Sequence, residues 1–215
     1  MHLEAEHRKF MKRLRYFEGQ LGDFAATHNV RELNFEQLMF LEGLLSNLWQ
    51  SWGRFSRSIF LKSAMGATTR SGSVTHPIDP ITNSESRISY IAIRLAKGNR
   101  IDPLLTNLEK RKEPTWGDID VLHTIVNAST LTNKSKLSSG LTLDIYPKIL
   151  QSIRNSSAHT NTETIQSIYD YASLFTSFKI QHPCEALFWT DNTSKDFLGM
   201  TCIATLGIMA EIATE

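Results

Sequence analysis

The stretch "FEQLMFLEGLLSNLWQSWGRFSRSIFLKSAMG", residues 35–66, has no proline and closes on a glycine. Asn34 stands before it as a helix cap, and Gln37 three residues later completes a capping box. The stretch therefore predicts one helix of about eight turns. Trp49, Trp52, Phe55, Ser56, Ile59 and Phe60 recur on it at helical spacing and read as a core stripe. A helix this long, buried along one face, sets an all-α expectation for the chain.

The flanking sequence agrees. Residues 2–27 place Leu3, Phe10, Leu14, Phe17, Leu21 and Phe24 on one face opposite charged positions. Residues 67–84 hold prolines, glycine and many Ser/Thr positions, which predict a polar loop. Ser84 caps a helix that runs to Gly98. Pro103 and Pro114 bracket a short apolar turn, and Thr115 with Asp118 marks the start of a helix through Ala128. Residues 129–140, "STLTNKSKLSSG", read as a second polar loop. "LTLDIYPKILQSIRN" is helical, with Pro147 near its first turn. Thr160 and Glu163 form a capping box for a helix continuing toward Ile180. Pro183 ends that element and an apolar C-terminal helix follows. No alternation is long enough to demand a sheet, and no repeat of fixed period occurs. The two polar loops read as insertions within one domain spanning residues 1–215.

Composition bounds the function. The 215 residues are 41% hydrophobic and 21% charged, with a net charge of +1. That excludes broad electrostatic attraction to nucleic acid but leaves room for a local basic site. Two cysteines and a charged N-terminal segment without an apolar core predict a reducing, cytoplasmic setting. The apolar run at residues 197–212 is too short to span a bilayer and reads as a core or interface helix, so no membrane is expected. There is no Gly-rich phosphate loop, dinucleotide fingerprint or CxxC pair, so neither metal nor cofactor is expected. His182 and Cys184 lack the further ligands of a zinc site. His2, His7, His28, His76 and His123 read as structural. Arg54 and Arg57, three residues apart beside the aromatic stripe, are secondary candidates for contacting single-stranded nucleic acid.

Chemistry concentrates at "QSIRNSSAHTNTETI", residues 151–165. On an unbroken helix Arg154 and His159 stand roughly 140° apart and share no face. Asn155, Ser156 and Ser157 favour turns, so a helix break between Arg154 and His159 is expected. Such a junction presents the guanidinium, the imidazole and free helix N–H groups to one anion. An Arg-x4-His match arises by chance roughly 0.4 times in a chain of this composition, and requiring Asn after the Arg lowers this to about 0.02.

"RNSSAH" resembles the R-x4-6-H signature of the HEPN superfamily, in which a polar residue often follows the Arg. The resemblance covers six residues and implies an all-α HEPN-like helical bundle with extra helices and the two loop insertions. It implies a metal-independent endoribonuclease that cleaves single-stranded RNA as a homodimer. The setting would be prokaryotic toxin–antitoxin or anti-phage defence, with an antitoxin or regulatory protein as a further partner. Carried over by position, Arg154 binds the scissile phosphate, His159 moves protons and Asn155 orients groups, with Ser156 a further substrate contact. Two alternatives stay open. One is a non-catalytic HEPN-type module binding nucleotide, RNA or protein. The other is an unrelated dimerisation protein in which Arg154 pairs with a carboxylate.

Overall fold

A computed structural model describes residues 1–103, 105, 112–142 and 145–215. The chain is mostly helical, as the all-α expectation requires. In order run α1 (Leu3–Thr27), α2 (Phe35–Met65), α3 (Glu85–Ala96), α4 (Ile119–Ala128), α5 (Lys134–Thr142), α6 (Tyr146–Ala158) and α7 (Thr162–Tyr169). After them come β1 (Phe175–Thr176), β2 (Thr190–Asp191) and α8 (Leu198–Thr214). The Asn34–Gln37 box closes at 2.9 and 3.0 Å, and Ser84 accepts the Arg87 N–H at 3.3 Å. Asp118 alone caps α4, accepting from Asp120 and Val121. Among the described residues no helix is long and apolar enough to cross a membrane. Part of the turn expected between Pro103 and Pro114, and residues 143–144 of the expected 141–155 helix, lie outside the described residues.

The chain divides into two compact units. The first comprises Met1–Phe10, Trp52–Leu143 and Ile208–Glu215. Phe10 stacks on Phe55 at 4.5 Å, and the Trp52 indole donates to the Gly117 carbonyl at 3.2 Å. α3 packs on α4, and α4 on α5, burying Ile88, Leu122, Ile125, Leu137 and Leu141. That burial corrects the expected loop at 129–140, part of which is α5. Leu137 and Leu141 supply a buried face that outweighs the weak helix propensity of its serines.

Gly140 belongs to this packing, because a Cβ there would lie 2.3 Å from the Ala213 backbone nitrogen. Backbone cannot retreat as a side chain does, so overpacking outweighs the propensity gained from alanine. Gly140→Ala is expected to destabilise the chain by about 2 kcal/mol. Gly43→Ala, with nothing within 4 Å, should stabilise it by up to about 1 kcal/mol. Urea unfolding of both variants checks the contrast.

Arg57 in the same unit meets Glu113 through two hydrogen bonds of 2.5 and 2.7 Å, and Glu85 at 2.9 Å. Burial pushes the Glu113 carboxyl up, but Arg57 and the Trp116 indole outweigh it and hold it at about 2, against an ordinary 4.5. A depressed carboxylate contributes stability that is complete above its unfolded value and lost as pH falls through its folded value. Acidification from about pH 5 to pH 2 should therefore remove up to about 3 kcal/mol through this group. Glu113→Gln should be less stable at pH 6 and show a shallower acid slope in denaturant titrations.

The second unit comprises Met11–Ser51 and Asp144–Gly207. The first half of α2 returns antiparallel to α1, with Phe17 and Leu21 facing Leu44, Leu45 and Leu48. Leu150, Ile153, Leu187, Trp189, Ile203 and Leu206 complete a buried core. The helix expected to continue through Ile180 ends at Tyr169 instead. The Tyr169 hydroxyl accepts the Ile180 N–H at 3.0 Å, and the Trp189 indole donates to the Phe178 carbonyl at 3.1 Å. These aromatic handles, the half-buried Tyr169 and the buried Trp189, hold residues 175–180 away from helix, and β1 pairs antiparallel with β2.

Candidate functional site

The polar centre of the second unit lies where α6 faces α2. Helix α6 runs unbroken from Tyr146 through Ala158, with Pro147 in its first turn. The expected break between Arg154 and His159 is therefore absent. The serines stay helical because their hydroxyls are occupied. Ser157 donates back to the Ile153 carbonyl at 3.0 Å, and Ser156 reaches the Thr164 carbonyl at 2.5 Å. The chain turns only after His159, whose N–H still bonds the Asn155 carbonyl at 2.9 Å.

The capping box of α7 also sits one residue later than expected. Asn161 and Thr164 exchange bonds of 2.9 and 3.2 Å, while Thr160 donates to the Ser156 carbonyl. Asn and Thr fit this role as well as Thr and Glu, and local sequence does not choose between adjacent registers.

Arg154 lines a cavity of about 180 Å³ with Glu42, Leu45, Ser46, Ser157 and Ala158. Its guanidinium donates to the Asn155 side-chain carbonyl at 3.1 Å, which fixes the direction of the fork. Ser156 is fully buried, and its hydroxyl joins α6 to α7. His159 is exposed, caps the end of α6 and is not among the cavity's lining residues. On the unbroken helix the roughly 140° separation of the two positions stands.

Two neighbours complete the surroundings: Glu42, not singled out from the sequence, and His182, read there only as lacking the further ligands of a zinc site. Glu42 lines the cavity and meets the His182 Nε2 at 3.1 Å. The His182 Nδ1 accepts the Cys184 N–H at 3.2 Å, so the neutral ring carries its proton on Nε2, toward Glu42. Glu185 accepts the Gln181 and His182 N–H groups at 2.6 and 3.2 Å and fixes this turn. Only a capping signature, His182 to Glu185 around Pro183, hinted at the arrangement.

The Cys184 sulfur lies 3.3 Å from the Ser157 hydroxyl. Burial pushes its thiol up to about 12, so it is a packed thiol rather than a nucleophile at neutral pH. Among the described residues no group of three or more His, Cys, Asp or Glu side chains is placed to hold a metal ion.

The secondary candidates fall in the first unit. Arg57 is committed to Glu113 and Glu85, while Arg54 is exposed. The aromatic stripe beside them is core, with Trp52, Ile59 and Phe60 fully buried. No stacking platform for bases is left on that face. No family model, no curated protein and no solved structure matches the chain.

Proposed function

We propose that the chain is a HEPN-type, metal-independent endoribonuclease of single-stranded RNA. In this reading it acts as a homodimer in a prokaryotic toxin–antitoxin or anti-phage system, in the cytoplasm, under an antitoxin or regulatory protein. The observation that carries the reading is the Arg154-Asn155 pair, in which the asparagine oxygen orients a guanidinium lining a cavity on α6. An oriented fork of this kind suits a phosphodiester and the charge that develops on it.

In the proposed reaction the RNA 2′-hydroxyl attacks the adjacent phosphorus, so no metal-bound water is needed. His159 of one protomer accepts the 2′-proton as the new P–O bond forms. A second histidine, His159 of the other protomer, protonates the departing 5′-oxygen as that P–O bond breaks. The products are a 2′,3′-cyclic phosphate and a 5′-hydroxyl. The exposure of His159 at the end of α6 leaves its ring available for this cross-protomer role.

One observation favours a second reading. The Glu42 carboxylate lines the same cavity as Arg154 and opposes a phosphate there. Within the alternative, a non-catalytic HEPN-type module binding nucleotide, RNA or protein, the carboxylate favours a protein partner over a phosphate-bearing one.

Incubating a mixed pool of single-stranded RNAs with the purified protein in excess EDTA separates the two. The enzyme reading expects cleavage that leaves 2′,3′-cyclic phosphate ends and is lost in His159→Ala. RNA binding without cleavage supports the second reading. Cleavage that stops on chelation contradicts the proposed chemistry.

A further inference from the structure

In the same unit, the α1–α2 hairpin carries a second cavity, of about 390 Å³. Its floor is aromatic. Phe24 stacks on His28 at 4.5 Å, on Phe40 at 5.5 Å and on Phe188 at 5.8 Å. Asp23 and Glu36 line it, and among the described residues no lysine or arginine does. Both residues are exposed, and none of the described residues gives either carboxylate a hydrogen-bond or ion-pair partner.

The apolar surface continues beyond the cavity. Phe35 is 76% exposed, Met39 52% and Phe40 42%. Phe35 and Met39 are one turn apart on α2, and Gly43 follows a turn later with open space where a Cβ would stand. The strip from Phe35 to Gly43 is about 12 Å long, which matches two turns of a helix laid against it. Large side chains grouped this way on a surface mark an interaction site.

Charge selects the occupant. A second copy meeting this patch through a two-fold axis would set Asp23 and Glu36 against the same carboxylates. An anionic membrane surface would repel them. A cationic side chain gains twice, from the two carboxylates and from the aromatic floor beneath.

We propose that the α1–α2 hairpin is a docking site for a basic amphipathic helix of a partner protein. Apolar side chains at i, i+3 and i+4 cover Phe35, Met39 and Phe40. A Lys or Arg enters the cavity between Asp23 and Glu36. The site is independent of the ribonuclease reading and stands whether or not the chain cleaves RNA.

The test is selection of a displayed library of random 16-residue peptides against the full chain. Enriched peptides should carry Lys or Arg among apolar residues at helical spacing. Their affinity, read by fluorescence polarisation, should fall at least tenfold in Asp23→Lys/Glu36→Lys. It should also fall in Met39→Ser, which keeps both carboxylates. Both altered faces are exposed, and circular dichroism confirms that the variants fold. No enrichment, enrichment of acidic peptides, or binding unchanged in either variant overturns the proposal. So does a wild-type dimer that Met39→Ser dissociates in sedimentation, because that assigns the face to a second copy. Binding to anionic vesicles that Met39→Ser abolishes also overturns it.

Discussion

Replacing Arg87 with leucine is expected to lower the stability of the fold by about 2–3 kcal/mol. Arg87 is 3% exposed. Its Nε lies 2.6 Å from the Asp79 carboxylate, and its Nη1 donates to the Asp102 and Leu105 carbonyls, each at 2.7 Å. Its guanidinium also sits 5.3 Å from the centre of the Tyr90 ring. Hydrogen bonding to Arg87 holds the Asp79 carboxyl below its usual range. The substitution therefore removes a donor from two carbonyls and from a carboxylate that keeps the Thr82 N–H at 3.1 Å. Leaving such partners unpaired costs more than the ion pair itself contributes. Arg87→Leu/Asp79→Leu should accordingly recover part of the loss. Chemical denaturation measures both variants, and a loss below about 1 kcal/mol for the single change would contradict this reading.

What was legible in the sequence was local. Helices α1 and α2 were readable because apolar periodicity, the Asn34–Gln37 box and the missing prolines agree with one another. The capping of α3 by Ser84 was equally local. What escaped depends on distant partners. Helix α5 forms over a stretch of serines because Leu137 and Leu141 find a core. The segment after Tyr169 leaves the helix because the Trp189 indole and the Tyr169 hydroxyl bind its backbone. Ser156 and Ser157 read as helix breakers, yet each hydroxyl found a backbone carbonyl.

The same division runs through the candidate site. Arg154, Asn155 and His159 were visible as a six-residue pattern. The adjacency of Arg154 and Asn155 became an oriented hydrogen bond. Glu42 lies more than a hundred residues away in sequence, and nothing in its surroundings on α2 marked it as a neighbour of Arg154. The electrostatics of the cavity were therefore half visible: the cation could be read, the carboxylate that tempers it could not.

That carboxylate sharpens the second large prediction. If Arg154 anchors an RNA phosphate, Arg154→Ala should slow cleavage by about 10²–10³-fold, the cost of removing one preorganised donor from a developing oxyanion. Arg154→Lys should recover little, because a point charge cannot reproduce the bidentate fork. Glu42→Gln should move the other way. Removing a like charge at the effective dielectric of a protein surface favours phosphate binding by roughly 1–2 kcal/mol, or about tenfold in affinity. Gln keeps the shape of the side chain and its contact with His182, so the change reports on charge. A cavity that holds Arg154 only for structure predicts no gain from Glu42→Gln.

The most direct measurement is the single-turnover rate of cleavage of one single-stranded RNA in EDTA, for wild type and Arg154→Ala side by side. Circular dichroism establishes that both are folded. Wild type should cleave without metal, and the variant should lose at least about a hundredfold. Equal rates in the two proteins would show that Arg154 is not the phosphate anchor.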